Sequence, residues 1–169
     1  PTTAELVQKY ITSFIALLLY AVVVIALATF ITPGFAKKAT YSMSKKSFIT
    51  ATIGIISLLI IPFLSIFLLI TGFLTYVGLA LLIVYLLIIS ITISILGMAI
   101  GNYFANKLKN KTKGKFILLS IASVAVLWLL QQIPYIGGYV SIFTVVFGLG
   151  IFVFSLFVKK ETLEKVENK

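Results

Sequence analysis

Between Lys46 and Lys107 the chain runs from Ser47 to Asn106 without one Asp, Glu, Lys or Arg. A water-soluble fold needs charged groups at short intervals on its solvent side. A bilayer fold must exclude them, because a charge in hydrocarbon costs several kcal/mol. The remaining charges are gathered into short clusters: Glu5 with Lys9, Lys37 to Lys46, Lys107 to Lys115, and a tail from Lys159 onward. With 61% of its 169 residues hydrophobic, the chain reads as an integral membrane protein and not as a soluble domain.

About 20 apolar residues at a rise of ~1.5 Å cross a hydrocarbon core of ~30 Å. Five segments meet that length: Ile11–Thr32, Phe48–Ile70, Tyr76–Phe104, Phe116–Ile133 and Tyr139–Val158. Backbone groups must be satisfied internally in lipid, so each is expected to be a helix. The expected fold is all-α, a single polytopic bundle of five transmembrane helices spanning residues 1–169. Thr32-Pro33-Gly34 and Pro134-Tyr135-Ile136-Gly137-Gly138 carry helix-ending residues, and Pro62 predicts a kink in the second span. The first segment follows Glu5 and Lys9 instead of a basic n-region, so it reads as a span and not as a signal peptide.

The lysines orient the bundle. Lys37, Lys38, Lys45 and Lys46 fall in the connection after span one, Lys107 to Lys115 in that after span three, and Lys159 and Lys160 follow span five. The connections after spans two and four have none. Alternating crossings place all of these lysines on one face, which the positive-inside rule makes cytoplasmic. The N-terminus is then expected outside and the C-terminus in the cytoplasm. Lys9 is the lone outer lysine, spaced to pair with Glu5. Tyr10, Phe14, Phe73, Tyr76, Trp128, Tyr135 and Tyr139 would form the outer aromatic belt.

Small residues recur on single helix faces. Ser90, Ser94, Gly97 and Gly101 form one stripe in span three, with Gly97 and Gly101 in a GxxxG match; Gly54 and Ser57 do so in span two, and Gly148 in span five. In lipid such residues let backbones approach closely. The faces are expected to meet inside one bundle, while a homo-oligomer surface or a narrow hydroxyl-lined conduit stays open. Lys107, Lys109, Lys111, Lys113 and Lys115 read first as a solvated loop and, second, as a contact for anionic lipid headgroups at ~1 kcal/mol per lysine. The basic residues are split among short loops, which disfavours nucleic acid.

The residues that perform chemistry are missing from the spans. There is no His, Asp, Arg or Cys, and three of the four Glu (Glu161, Glu164 and Glu167) lie on the tail. Metal-dependent proteolysis needs His and carboxylate ligands, an aspartyl dyad needs Asp, and a serine nucleophile needs a base. No catalytic residue, cofactor or metal site is therefore expected, nor is ion-coupled transport. Gln131 and Gln132 are expected to cap the outer end of span four.

Two patterns carry a resemblance. Gly54 is followed by Pro62, Thr71 and Gly78, and Pro134-Tyr135-Ile136-Gly137 by Gly148-Leu149-Gly150. Together these resemble the multi-span membrane domain of bacterial bactofilin-like, polymer-forming proteins, over roughly Ser47 to Val158. Gly78-Leu79-Ala80 departs from it, since that family's turn carries Gly-x-Pro. The resemblance implies a bacterial plasma membrane and an extracytoplasmic β-helical domain before Pro1, and it transfers no functional residue. The expected role is a non-catalytic domain that anchors or assembles an extracytoplasmic domain or partner. The alternative is a channel, permease or lipid-handling protein whose hydroxyls line a path for a neutral solute or lipid.

Overall fold

The computed structural model describes residues 2–32, 34–108, 110 and 112–157. Among these residues the chain is all-helical, with six helices: α1 (Thr3–Ile31), α2 (Phe35–Lys45), α3 (Ser47–Ile70), α4 (Thr75–Asn106), α5 (Lys113–Gln131) and α6 (Ile136–Phe157). Five of them, all but α2, are long and apolar enough to cross a membrane. Pro33, Lys109, Lys111 and the tail lysines and glutamates from Lys159 onward lie outside the described residues.

Burial is inverted relative to a soluble protein. Phe30, Phe48, Phe63, Ile70 and Phe157 are exposed, while Ser42, Thr50, Ser65, Ser94, Ser120 and Ala99 are fully buried. Large apolar side chains facing lipid lose nothing by exposure, and small ones inside let helices touch through their backbones. α4 is the hub, meeting every other helix. α6 packs against α3, α4 and α5, and α1 leans on α5 and α4 without touching α3 or α6.

Close approach of backbones sets the registers. On α3, a side chain at Gly54 would overlap the carbonyl oxygen of Val146; on α6, one at Gly150 would overlap the carbonyl oxygen of Thr50. The antiparallel pair thus seats a glycine of each helix on a carbonyl of the other, the spacing at which Cα–H groups meet carbonyl oxygens. Between α4 and α5, Gly97 faces Val124, and a Cβ at Gly101 would lie 2.6 Å from Ser120 Cα. Gly148 of α6 meets Thr92 of α4, where a Cβ would sit 2.7 Å from the carbonyl oxygen. The GxxxG face of α4 is occupied by α5 of the same chain.

α1 begins earlier than Ile11. Thr2 and Glu5 form a capping box, with Thr2 N–H donating to Glu5 Oε2 at 2.9 Å and Glu5 N–H to Thr2 Oγ1 at 3.4 Å. Glu5 therefore turns back on Thr2, and among the described residues no ion pair joins it to Lys9. Farther along, the Phe14 ring lies 5.0 Å from that of Trp128 on α5.

Pro62 lies inside α3, which continues through it to Ile70. Proline has no N–H, so the Leu58 carbonyl one turn back loses its helical donor. The hydroxyl of Tyr85, buried on α4, donates to that carbonyl at 3.1 Å. A neighbouring helix thus restores what the proline removes, as bilayer burial demands. Tyr85→Phe leaves the oxygen unmatched at constant ring volume. It is expected to lower stability by about 0.6–1.7 kcal/mol, the range of interhelical hydrogen bonds in membranes. Unfolding of the purified protein in mixed micelles checks this, with Leu86→Phe, on the exposed side of α4, as the control.

Candidate functional site

The region placed in a loop by the sequence, Lys37 to Lys46, is largely helical: α2 covers Phe35–Lys45. Gly34 caps it with φ +97, a left-handed turn open to glycine at little cost. α2 presents Lys37 and Lys45 outward and buries Ala39, Thr40 and Ser42. At 11 residues, or ~16 Å at 1.5 Å each, it is too short to cross. It lies at the lysine-bearing end of the bundle, where α1, α4 and α6 finish and α3 and α5 begin.

Polar contacts dock α2 onto three spans. Asn102, buried on α4, donates through Nδ2 to Thr40 Oγ1 at 2.7 Å and to the Ala36 carbonyl at 3.3 Å. Thr40 Oγ1 lies 2.9 Å from the Ala36 carbonyl and 3.3 Å from that of Ala99, so its single proton is shared between them. The Thr50 hydroxyl of α3 donates to the Ser42 carbonyl at 3.0 Å. Lys38 reaches α6, its Nζ donating to the Ser155 carbonyl at 3.1 Å. A lysine beside the last described turn of α6 faces the negative end of the helix dipole.

Beside this node a cleft of about 720 Å³ opens between α1 and α6, two helices that do not meet. Val24, Leu27 and Ile31 form its α1 wall, and Phe152 and Leu156 its α6 wall. Ile91, Ile95 and Met98 of α4 make the floor, and Phe35 and Lys38 of α2 close the lysine end. Lys38 is the only charged residue among the described residues that line it.

The small residues singled out in the sequence do not converge on one site. Gly54 and the buried Ser57 are on α3, with Gly54 against α6; Gly97 and Gly101 serve the α4–α5 contact, and Gly148 the α4–α6 contact. Ser94 is buried on α4, and its hydroxyl has no hydrogen-bond partner among the described residues. Ser90 is exposed and donates to the Leu86 carbonyl of its own helix at 2.9 Å. The register that pairs Gly97 with Val124 brings Gln131, where α5 ends, level with Ser90, so the stripe reaches the very end of its partner helix. Gln131 itself reaches α6, its Nε2 donating to Thr144 Oγ1 at 3.4 Å. Of the loop lysines, Lys107 stacks over the Tyr103 ring with Nζ 4.7 Å from the centroid, and Lys113 and Lys115 are exposed in the first turn of α5. Lys109 and Lys111 fall outside the described residues.

A family model described as a domain of unknown function, DUF8173, matches residues 1–161 and so embraces all six helices. The chain belongs to the DUF8173 family. No curated protein and no solved structure matches it. In this DUF8173 chain the features that sequence reading missed are α2, Asn102 and Tyr85. Asn102 was the findable one, a full amide one turn before the end of the longest helix.

Proposed function

We propose that the chain is a non-catalytic domain of the bacterial plasma membrane that anchors or assembles an extracytoplasmic domain or partner. Its N-terminus would lie outside and its C-terminus in the cytoplasm. The observation that carries the reading is the way the interior hydroxyls are used. Those of Ser65, Ser120, Thr144 and Thr29 each donate to a carbonyl of their own helix, and glycines seat the neighbouring backbones together. Such an arrangement favours rigidity over a wet path, since a hydroxyl committed to its own backbone has less to offer a passing solute. Lysines gathered at the α2 end support the orientation. The resemblance to bactofilin-like proteins supports a partner domain on the opposite side, linked through the start of α1.

The chain has no cysteine, so single-cysteine labelling has no background. With a membrane-impermeant maleimide, Gly72→Cys and Gly138→Cys should label in intact cells and Asn110→Cys only after permeabilisation. The reverse pattern would invert the orientation. For the role itself, photocrosslinkers at Phe73 and Tyr135, both exposed on the outer turns, should capture an extracytoplasmic polypeptide segment. Saturable solute flux in proteoliposomes, abolished by Ser90→Leu and unaccompanied by such crosslinks, would establish the conduit instead.

A further inference from the structure

We propose that the cleft between α1 and α6 is a lateral binding site for one phospholipid with an anionic headgroup. The lipid would come from the leaflet at the lysine-bearing end, its phosphate beside Lys38 Nζ and an acyl chain along Ile91, Ile95 and Met98. This goes beyond the anchoring role and holds with or without it.

Depth is the first argument. The floor runs from Ile91, near the middle of α4, to Met98, about 10 Å at ~1.5 Å per residue. A single leaflet contributes roughly half of a ~30 Å core, so the cleft lies within one leaflet and stops near the midplane. It is bounded at the other end by α2, at the level where headgroups begin. Its volume of about 720 Å³ falls within the ~300–1,000 Å³ of ordinary ligand sites. Because α1 and α6 do not touch, the opening faces sideways into lipid.

Charge chooses the occupant. An apolar wall alone would accept any acyl chain, but Lys38 sits at the headgroup end. One of its three N–H donors goes to the Ser155 carbonyl, which fixes the ammonium at the mouth and leaves two donors for anionic oxygens. Among the described residues the sole carboxylate side chain is Glu5, at the far end of α1, so none of the described acidic groups lies near Lys38. A neutral zwitterionic lipid would bring its own cation to this mouth. An anionic one does not, which is the basis of the expected preference.

The test uses the purified 169-residue chain, delipidated in mild detergent and offered dioleoyl phosphatidylglycerol or dioleoyl phosphatidylcholine, with bound lipid counted by native mass spectrometry. One phosphatidylglycerol should be retained about five-fold better than phosphatidylcholine, the scale of one lysine at an anionic surface. Lys38→Gln keeps a donor for Ser155 but should erase the preference, whereas Lys38→Arg should preserve it. Leu27→Trp fills the cleft from an exposed wall position and should expel the lipid with Lys38 intact. Lys107→Gln with Lys115→Gln should leave retention unchanged. Equal retention of the two lipids would overturn the site, as would loss of the adduct only in the loop variant. A protein dimer that excludes lipid and dissociates in Leu27→Trp would assign the cleft to a second copy instead.

Discussion

Replacing Gly54 by leucine is expected to separate α3 from α6 and to cost about 3 kcal/mol or more, the upper range for forced overpacking. The obstacle is backbone and not a side chain that could rotate away. A Cβ at Gly54 would overlap the Val146 carbonyl oxygen, and α3 would have to withdraw along its length. Thr50 and Gly150 share the same interface, so their contact would open as well. Gly54→Ala should show much of the same loss, because the first carbon already clashes. Gly138→Leu, at an exposed helical position where a Cβ would meet nothing within 4 Å, should behave like the wild type. Thermal unfolding in detergent, followed by helicity and by monodispersity, separates these outcomes. Equal midpoints for Gly54→Leu and Gly138→Leu would show that the two helices do not depend on this approach.

The second large effect is expected at Asn102. Asn102→Leu removes the donor to Thr40 and Ala36 and places an apolar side chain against the polar face of α2. Leaving buried polar groups without their partner costs about 1–3 kcal/mol. The damage should be local. α2 would lose its amide tie to α4, keeping only Thr40's share in the Ala99 carbonyl, while α3, α4, α5 and α6 keep their glycine contacts, so hydrogen exchange in α2 should rise well above that in α4 and α5. Asn102→Asp tests the same position by charge: a carboxylate at a buried site cannot donate to Thr40 or to Ala36, and should destabilise at least as much. Unchanged exchange in α2 in both variants would mean that Lys38 and Thr50 suffice to hold it.

The spans were legible because hydrophobic length is a local property of the chain. The uncharged run from Ser47 to Asn106 contains α3 and α4 almost to the residue, separated by the turn at Gly72. α2 was not legible for the opposite reason. Its apolar face is only Phe35, Ala39 and Met43, at helical spacing but set among Lys37, Lys38 and Lys45 and the buried hydroxyls of Thr40 and Ser42, so it carries none of the long apolar run by which the spans are read. Small-residue stripes could be seen on α3, α4 and α6, yet a glycine in a sequence does not name its partner. That Gly97 serves α5 and Gly148 serves α4 depends on helix order and register, which are tertiary facts. Ser90 shows the limit within one stripe: its face is right, but it lies level with Gln131, the last residue of α5. The cleft was invisible because it arises from a contact that is missing, between α1 and α6.

The pairing of Tyr85 with the Leu58 carbonyl also bears on how the chain reaches the bilayer during its synthesis. These groups are 27 residues apart. At a ribosomal rate of about 5–20 residues per second, Tyr85 emerges a few seconds after the carbonyl it will cover. A lone α3 would face lipid with one backbone oxygen deprived of its donor, whereas an α3–α4 hairpin carries its own remedy. The short uncharged turn around Gly72 presents no charged residue to be moved across. The two segments are thus suited to leave the translocation machinery together, as one insertion unit, with the tyrosine as the clasp between them.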